Sequence, residues 1–262
     1  MGEILSLPNR LSRIRVVSIY GEIKAGRPVN QNLSSIGEYE QEELLLWNED
    51  QEVKQILTNR FSQYGINYGD ILILYPSFPE KEKGIVLIMR ADHYEVVTLD
   101  NFNGSTDVFV GMVTRIIKFF RAPLDQRKAV KSYRNFTFSQ SQIEGFTLTR
   151  CLMQNKPNDF LMIRVSGDSM IGVNIMEGDI VLVNRKLDYY GGDVVAANSG
   201  KGYIVKTLKF DMNNDSEPEA ILVSENEKYP PEKIYLNKIY SSSPTSIEGV
   251  ITALIRMVVP LK

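Results

Sequence analysis

The chain has 262 residues, 43% hydrophobic and 24% charged, with a formal net charge of −2. This is the composition of a globular chain with core enough for one large or two modest domains, and its balance supplies no overall basic field to recruit nucleic acid. One cysteine, Cys151, forbids an intrachain disulfide and reads as a buried small hydrophobe; one histidine, His93, in a turn-like Ala-Asp-His-Tyr run, leaves no usual zinc ligand set.

No apolar run approaches the ~18 residues of a membrane span, and Met1 to Asn9 carries no signal-peptide pattern. The expectation is therefore a cytoplasmic protein with no membrane contact, no cofactor and no metal. In chain order, Val16 to Asn30 reads as a strand and turn, containing Tyr20-Gly21-Glu22-Ile23-Lys24-Ala25-Gly26-Arg27-Pro28. Glu40 to Asn59, with Leu44, Leu45, Leu46, Val53, Ile56 and Leu57 among acidic and amide residues, reads as one helix or a helix–turn pair.

β-Branched runs broken by Gly, Asp, Pro and Asn then dominate, the pattern of a strand-rich chain. Tyr68-Gly69-Asp70-Ile71-Leu72-Ile73-Leu74 is echoed by Glu177-Gly178-Asp179-Ile180-Val181-Leu182-Val183, an offset of 109 (178 − 69). At the same offset Gly84–Ile88 echoes Asp193–Ala197, and Tyr94–Val97 falls opposite Tyr203–Lys206. Val110-Gly111-Met112-Val113 echoes Glu248-Gly249-Val250-Ile251. The expectation is a mainly β protein of two tandem units with short helical segments: a first unit over 1–120, a polar linker over 121–143 and a second unit over 144–262. Recurrence of similar apolar strands in any β protein is the alternative.

Chemistry gathers in the second unit. Val165-Ser166-Gly167-Asp168-Ser169-Met170 places Ser169 in a tight turn, and Tyr203-Ile204-Val205-Lys206 places a lysine 37 positions later (206 − 169) on an apolar strand. A serine needs a base to become a nucleophile, and a lysine serves only when neutral; apolar burial favours the neutral amine. Ile204 and Leu208 share the face of Lys206 in an alternating strand, which favours burial. The other readings are that Ser169 caps a helix and that Lys206 is a surface lysine. At the matching positions the first unit has Arg60 and Val97. Asp168 reads as structural and Met170 as packing that positions the turn. Ser199-Gly200-Lys201-Gly202 reads as a hairpin turn, since no helix pattern follows it.

Gly-Asp-Ser-Met at 167–170, Gly178-Asp179 with its strand, Gly192-Asp193-Val194-Val195-Ala196-Ala197, Val205-Lys206-Thr207-Leu208, Leu222-Val223-Ser224-Glu225-Asn226 through Tyr229-Pro230-Pro231, and Ile247-Glu248-Gly249-Val250-Ile251 resemble, in order, the LexA/UmuD-type self-cleaving proteases. The resemblance covers roughly residues 160–258. It implies a Ser169/Lys206 dyad, with backbone N–H groups near Asp168 and Ser169 holding the oxyanion. Gly21-x-Ile23-x-Ala25-Gly26-x-Pro28 is similar to the family's self-cleavage segment, which makes Ala25-Gly26 the candidate scissile bond; an ordinary edge strand and turn is the alternative. Small residues there let the peptide lie against the dyad, and Gly26 tolerates a bend.

Only about 15 residues precede that segment, too few for a helical DNA-binding module. The layout is UmuD-like, and the fused units imply a pseudo-dimer within one chain. The resemblance implies a latent autoprotease of a DNA-damage (SOS-like) or phage response. A RecA-type filament is the candidate activator, and a DNA polymerase or a regulator the candidate partner. A non-catalytic protein-binding module and a protease cutting a partner in trans stand as alternatives.

Overall fold

Continuous apolar runs such as Ile71-Leu72-Ile73-Leu74 suit strands buried on both faces, and that is where they lie. The computed structural model describes residues 4–7, 16–24, 35–40, 51–77, 83–121, 138, 140–144, 148–154, 156–199, 203–211, 219–234 and 246–258. Among these, the strands are β1 (Ile4–Leu7), β2 (Val16–Lys24), β3 (Ser35–Glu40), β4 (Glu52–Ile56), β5 (Ile71–Tyr75), β6 (Ile85–Arg90), β7 (His93–Thr98), β8 (Val108–Phe119), β9 (Phe160–Ser166), β10 (Ile180–Asn184), β11 (Val194–Asn198), β12 (Tyr203–Asp211), β13 (Glu219–Val223), β14 (Glu232–Ile234) and β15 (Ser246–Met257). Two short helices, α1 (Gln140–Glu144) and α2 (Leu148–Met153), complete the regular elements used below. The fold is mainly β, as the sequence leads one to expect.

All the strands join in one sheet whose main path runs β1-β4-β5-β8-β15-β10-β9-β2-β3. Around the two Gly-Asp pairs, 109 positions apart, the same two hydrogen bonds recur. In the first, the Asn67 N–H donates to Asp70 Oδ2 at 2.8 Å and the Gly69 N–H to the Ile56 carbonyl at 2.7 Å. In the second, the Met176 N–H donates to Asp179 Oδ2 at 2.8 Å and the Gly178 N–H to the Val165 carbonyl at 2.8 Å. The registers Val86↔Val97 and Val195↔Lys206 put Val97 and Lys206 in equivalent places.

The units meet along β8 and β15, paired antiparallel with Ile117 opposite Ile255. Aligning Gly111 with Gly249 makes those two isoleucines counterparts, and Phe119↔Ala253 is mirrored by Arg115↔Met257. A strand facing its own counterpart is the signature of an isologous, two-fold contact. Asn174 Nδ2 also donates to the carbonyl of Gly65, 109 positions away, at 3.4 Å. One core spans the junction, including Ile71, Ile73 and Ile117 from one side and Ile180, Leu182 and Ile255 from the other.

One expectation needs correction. Val53 and Ile56 lie on β4, not on a helix; β4 is paired on both sides, by β1 and β5, and that long-range pairing overrides the local helix-like spacing. Residues 41–50 lie outside the described residues. Within the polar stretch 121–143, Phe138 is buried in the junction core, its N–H donating to Gln55 Oε1 at 3.2 Å, and α1 begins at Gln140.

The N-terminal strands cross between units. β1 pairs with β4 of the first unit, β2 runs parallel to β9 of the second, and the chain then returns to β4.

Candidate active site

β9 delivers the serine turn. Gly167 follows it with φ +87°, a left-handed angle that side chains disfavour, and the chain folds back so that Ser169 and Met170 are fully buried. A single 3-10 turn, Ile171–Val173, closes the loop. β12 delivers the lysine: its face carries Ile204 and Leu208, which pack with Val195, Ala197, Ala220 and Leu222. Lys206 is 5% exposed, and its Nζ donates to Ser169 Oγ at 3.1 Å. The two side chains that the sequence singled out therefore meet, and the helix-cap and surface-lysine readings do not describe them.

The loop after β13 holds both halves of this pair, a role the sequence reading did not assign. The Gly172 N–H donates to the Glu225 carbonyl at 2.8 Å. Asn226 Nδ2 donates to the Asp168 carbonyl at 3.0 Å and to its Oδ2 at 3.2 Å. The Tyr229 hydroxyl donates to Asp168 Oδ1, and the Tyr229 ring centroid lies 5.8 Å from Lys206 Nζ, within cation–π range. The Tyr229 hydrogen bond, with the Lys228 ammonium 3.7 Å away, holds the Asp168 carboxyl below its ordinary value. Asp168 is thus a structural tie between turn and loop. Asn226 and Tyr229 were visible only as part of a motif; nothing local links position 229 to position 206.

Gly172 shows how close the approach is: a Cβ there would stand 2.4 Å from the Glu225 carbonyl oxygen. Cys151 is buried, and burial pushes its thiol pKa upward, so it is no thiolate nucleophile. His93 is exposed at the start of β7. Val194–Asn198 and Tyr203–Asp211 form an antiparallel pair on either side of the Gly200–Gly202 connection.

Ala25 and Gly26 lie outside the described residues. The strand before them does not. β2 pairs in parallel with β9 through Ile23↔Val165 and Lys24↔Ser166, and Ser166 precedes Ser169 by three positions. The chain leading into Ala25-Gly26 thus runs on the second unit, toward the serine turn. No helix among the described residues is long and apolar enough to cross a membrane.

Residues 132–251 match the Peptidase S24-like family. The chain is 33% identical over 101 residues to a LexA repressor of Pseudoalteromonas atlantica (strain T6c / ATCC BAA-1087), covering 38% of this chain and 44% of the relative. It is 33% identical over 100 residues to a LexA repressor of Hahella chejuensis (38% and 46%) and 34% identical over 101 residues to one of Pectobacterium carotovorum subsp. carotovorum (38% and 46%). The aligned stretch spans less than half the length of these relatives.

Proposed function

We propose, from the premise that this chain belongs to the LexA/UmuD-type, Peptidase S24-like protease family, that it is a latent Ser/Lys autoprotease that cuts itself between Ala25 and Gly26. The observation that carries this is the buried Lys206 Nζ–Ser169 Oγ hydrogen bond at 3.1 Å. The register of β2 supports the choice of bond, because it runs the preceding residues along β9 toward Ser169.

The reaction runs as follows. Neutral Lys206 takes the proton of Ser169 Oγ as the oxygen attacks the Ala25 carbonyl carbon. Backbone N–H groups of Asp168 and Ser169 stabilise the oxyanion. The intermediate collapses, the Ala25–Gly26 bond breaks, and the Gly26 amine leaves with the proton from Lys206. Water then hydrolyses the Ala25 ester on Ser169, giving a carboxylate at Ala25 and restoring the serine. Tyr229, Asn226 and Asp168 hold the serine turn against the lysine strand. Residues 1–120 act as a degenerate unit, 121–143 as the connection and 144–262 as the catalytic unit, a pseudo-dimer in one chain.

By likeness to the family, the trigger is a RecA-type filament or another activator in a cytoplasmic DNA-damage or phage response, with a polymerase or regulator as the downstream partner. The test is intact mass under denaturing conditions after incubation at about pH 7 and about pH 10, since alkali raises the neutral fraction of a lysine. A chain beginning at Gly26, formed by wild type and not by Ser169→Ala, supports the proposal. A chain that stays whole in alkali and with activator overturns self-cleavage, leaving a binding module or a protease that cuts a partner.

A further inference from the structure

The N-terminal residues touch both units, which bears on what a cut after Ala25 does. β1 pairs with β4 over four consecutive positions, Ile4↔Ile56 to Leu7↔Val53. Leu7 is 6% exposed inside the core shared by the two units, with Leu5 packed against it. β2 is flanked on both sides: parallel to β9 from Ile19↔Met162 to Lys24↔Ser166, and antiparallel to β3 from Val16↔Glu40 to Tyr20↔Ser35. Every one of these pairings ends at or before Lys24, so none is lost when the bond after Ala25 breaks.

We propose that cleavage yields a nicked protein rather than a released fragment: residues 1–25 stay as a two-strand staple, with β1 seated on β4 and β2 seated in a strand-binding site between β9 and β3. This rests on the self-cleavage reading for its biological occasion, not for its geometry. Backbone pairing supplies the affinity in strand addition. Two anchors on one segment reinforce each other, because a strand that opens is held at high effective concentration by the other. Loss of β2 would also bare the edge of β9, a template for non-native pairing. Self-cleavage then changes connectivity without changing assembly, and release of residues 1–25 needs a competing extended peptide or opening of the β4 edge.

The test uses full-length Ser169→Ala carrying a site-specific protease sequence between Ala25 and Gly26. After complete cutting, verified by denaturing mass, native mass and gel filtration should show one species holding both pieces. Separation of residues 1–25 from the rest under native conditions overturns the proposal. Nicked Leu7→Asp should lose the fragment at least tenfold faster; equal retention removes β1 from the staple. If the protease does not reach the insertion, co-expression of residues 1–25 with 26–262, with a tag on the short piece, gives the same pieces: co-purification supports the staple and its absence overturns it. Alkaline incubation of wild type scores the cleavage reading separately, so a nick that holds in a chain that never cuts itself separates the two.

Discussion

The two units share a frame and differ in what hangs on it. The strand–turn–strand that presents Ser169 in the second unit recurs in the first with the same N–H-to-carboxylate bond, yet Arg60 and Val97 stand where Ser169 and Lys206 stand. Thr58 occupies the place of Gly167, and Gln63 that of Gly172. The second unit has β13, β14 and the Glu225–Tyr229 loop between β12 and β15; the first passes from Thr98 to Val108 without them. The loop that clamps the serine turn is therefore missing wherever the serine is missing. Turn and sheet geometry are maintained by folding alone, while the clamp goes with the Ser169–Lys206 pair.

The largest effect that would sharpen this contrast is catalytic. Ser169→Ala and Lys206→Ala should each reduce alkaline self-cleavage by on the order of a thousandfold or more, because nucleophile and base act as a unit, whereas Arg60→Ala should leave it unchanged. Equal loss from the Arg60 change would break the assignment of roles to the two units.

Next come the buried ion pairs. Asp70 pairs with Lys118, both side chains fully buried, while its counterpart Asp179 makes a two-pronged contact with Arg256 at 2.8 and 2.9 Å. Asp70→Ala removes one member of a buried ion pair and should cost about 3–5 kcal/mol in denaturant unfolding. Asp179→Ala should cost less, since Arg256 is 15% exposed and keeps its contacts with Asn174 at 3.1 and 2.9 Å.

The same pair gives a pH signature in the first unit. Burial raises Asp70 to about 6 despite the pull of Lys118, whose own value burial lowers. A carboxyl raised on folding adds stability fully present below its ordinary value near 3.8, and that contribution is lost as pH rises through about 6. Melting temperature followed from pH 3.5 to 7 should show this arm in wild type and not in Asp70→Asn.

Gly172→Ala should weaken the clamp. Its Cβ meets a backbone oxygen that must shift, at about 1–3 kcal/mol, and self-cleavage should slow more than stability alone explains. Gln63→Ala, at the exposed counterpart, should do neither. The smallest effect is Tyr229→Phe, which removes the hydroxyl bond to Asp168. Its carboxyl pKa, held low in the folded chain, should rise toward the ordinary value by NMR titration. In wild type the stability tied to that bond is present above the ordinary value and is lost as pH falls through the depressed one.

Ser169, Lys206 and the 109-residue repeat were legible in the sequence because each is written locally. A Gly-Asp pair before an apolar run fixes a turn and a strand within a few residues, and alternation fixes which face Lys206 shares with Ile204 and Leu208. The apolar character of Val53 and Ile56 was legible too, but not their strand, since its partners are Ile4–Leu7 and Ile71–Leu74. Three features were decided only by the tertiary structure: the facing of Ile117 and Ile255, the passage of β2 onto β9 of the other unit, and the placing of the Tyr229 ring over Lys206. Each joins residues far apart in the chain through backbone pairing or packing that leaves no local pattern. A β-strand's sequence says which side is apolar, and the closing of the sheet says which strand lies beside it.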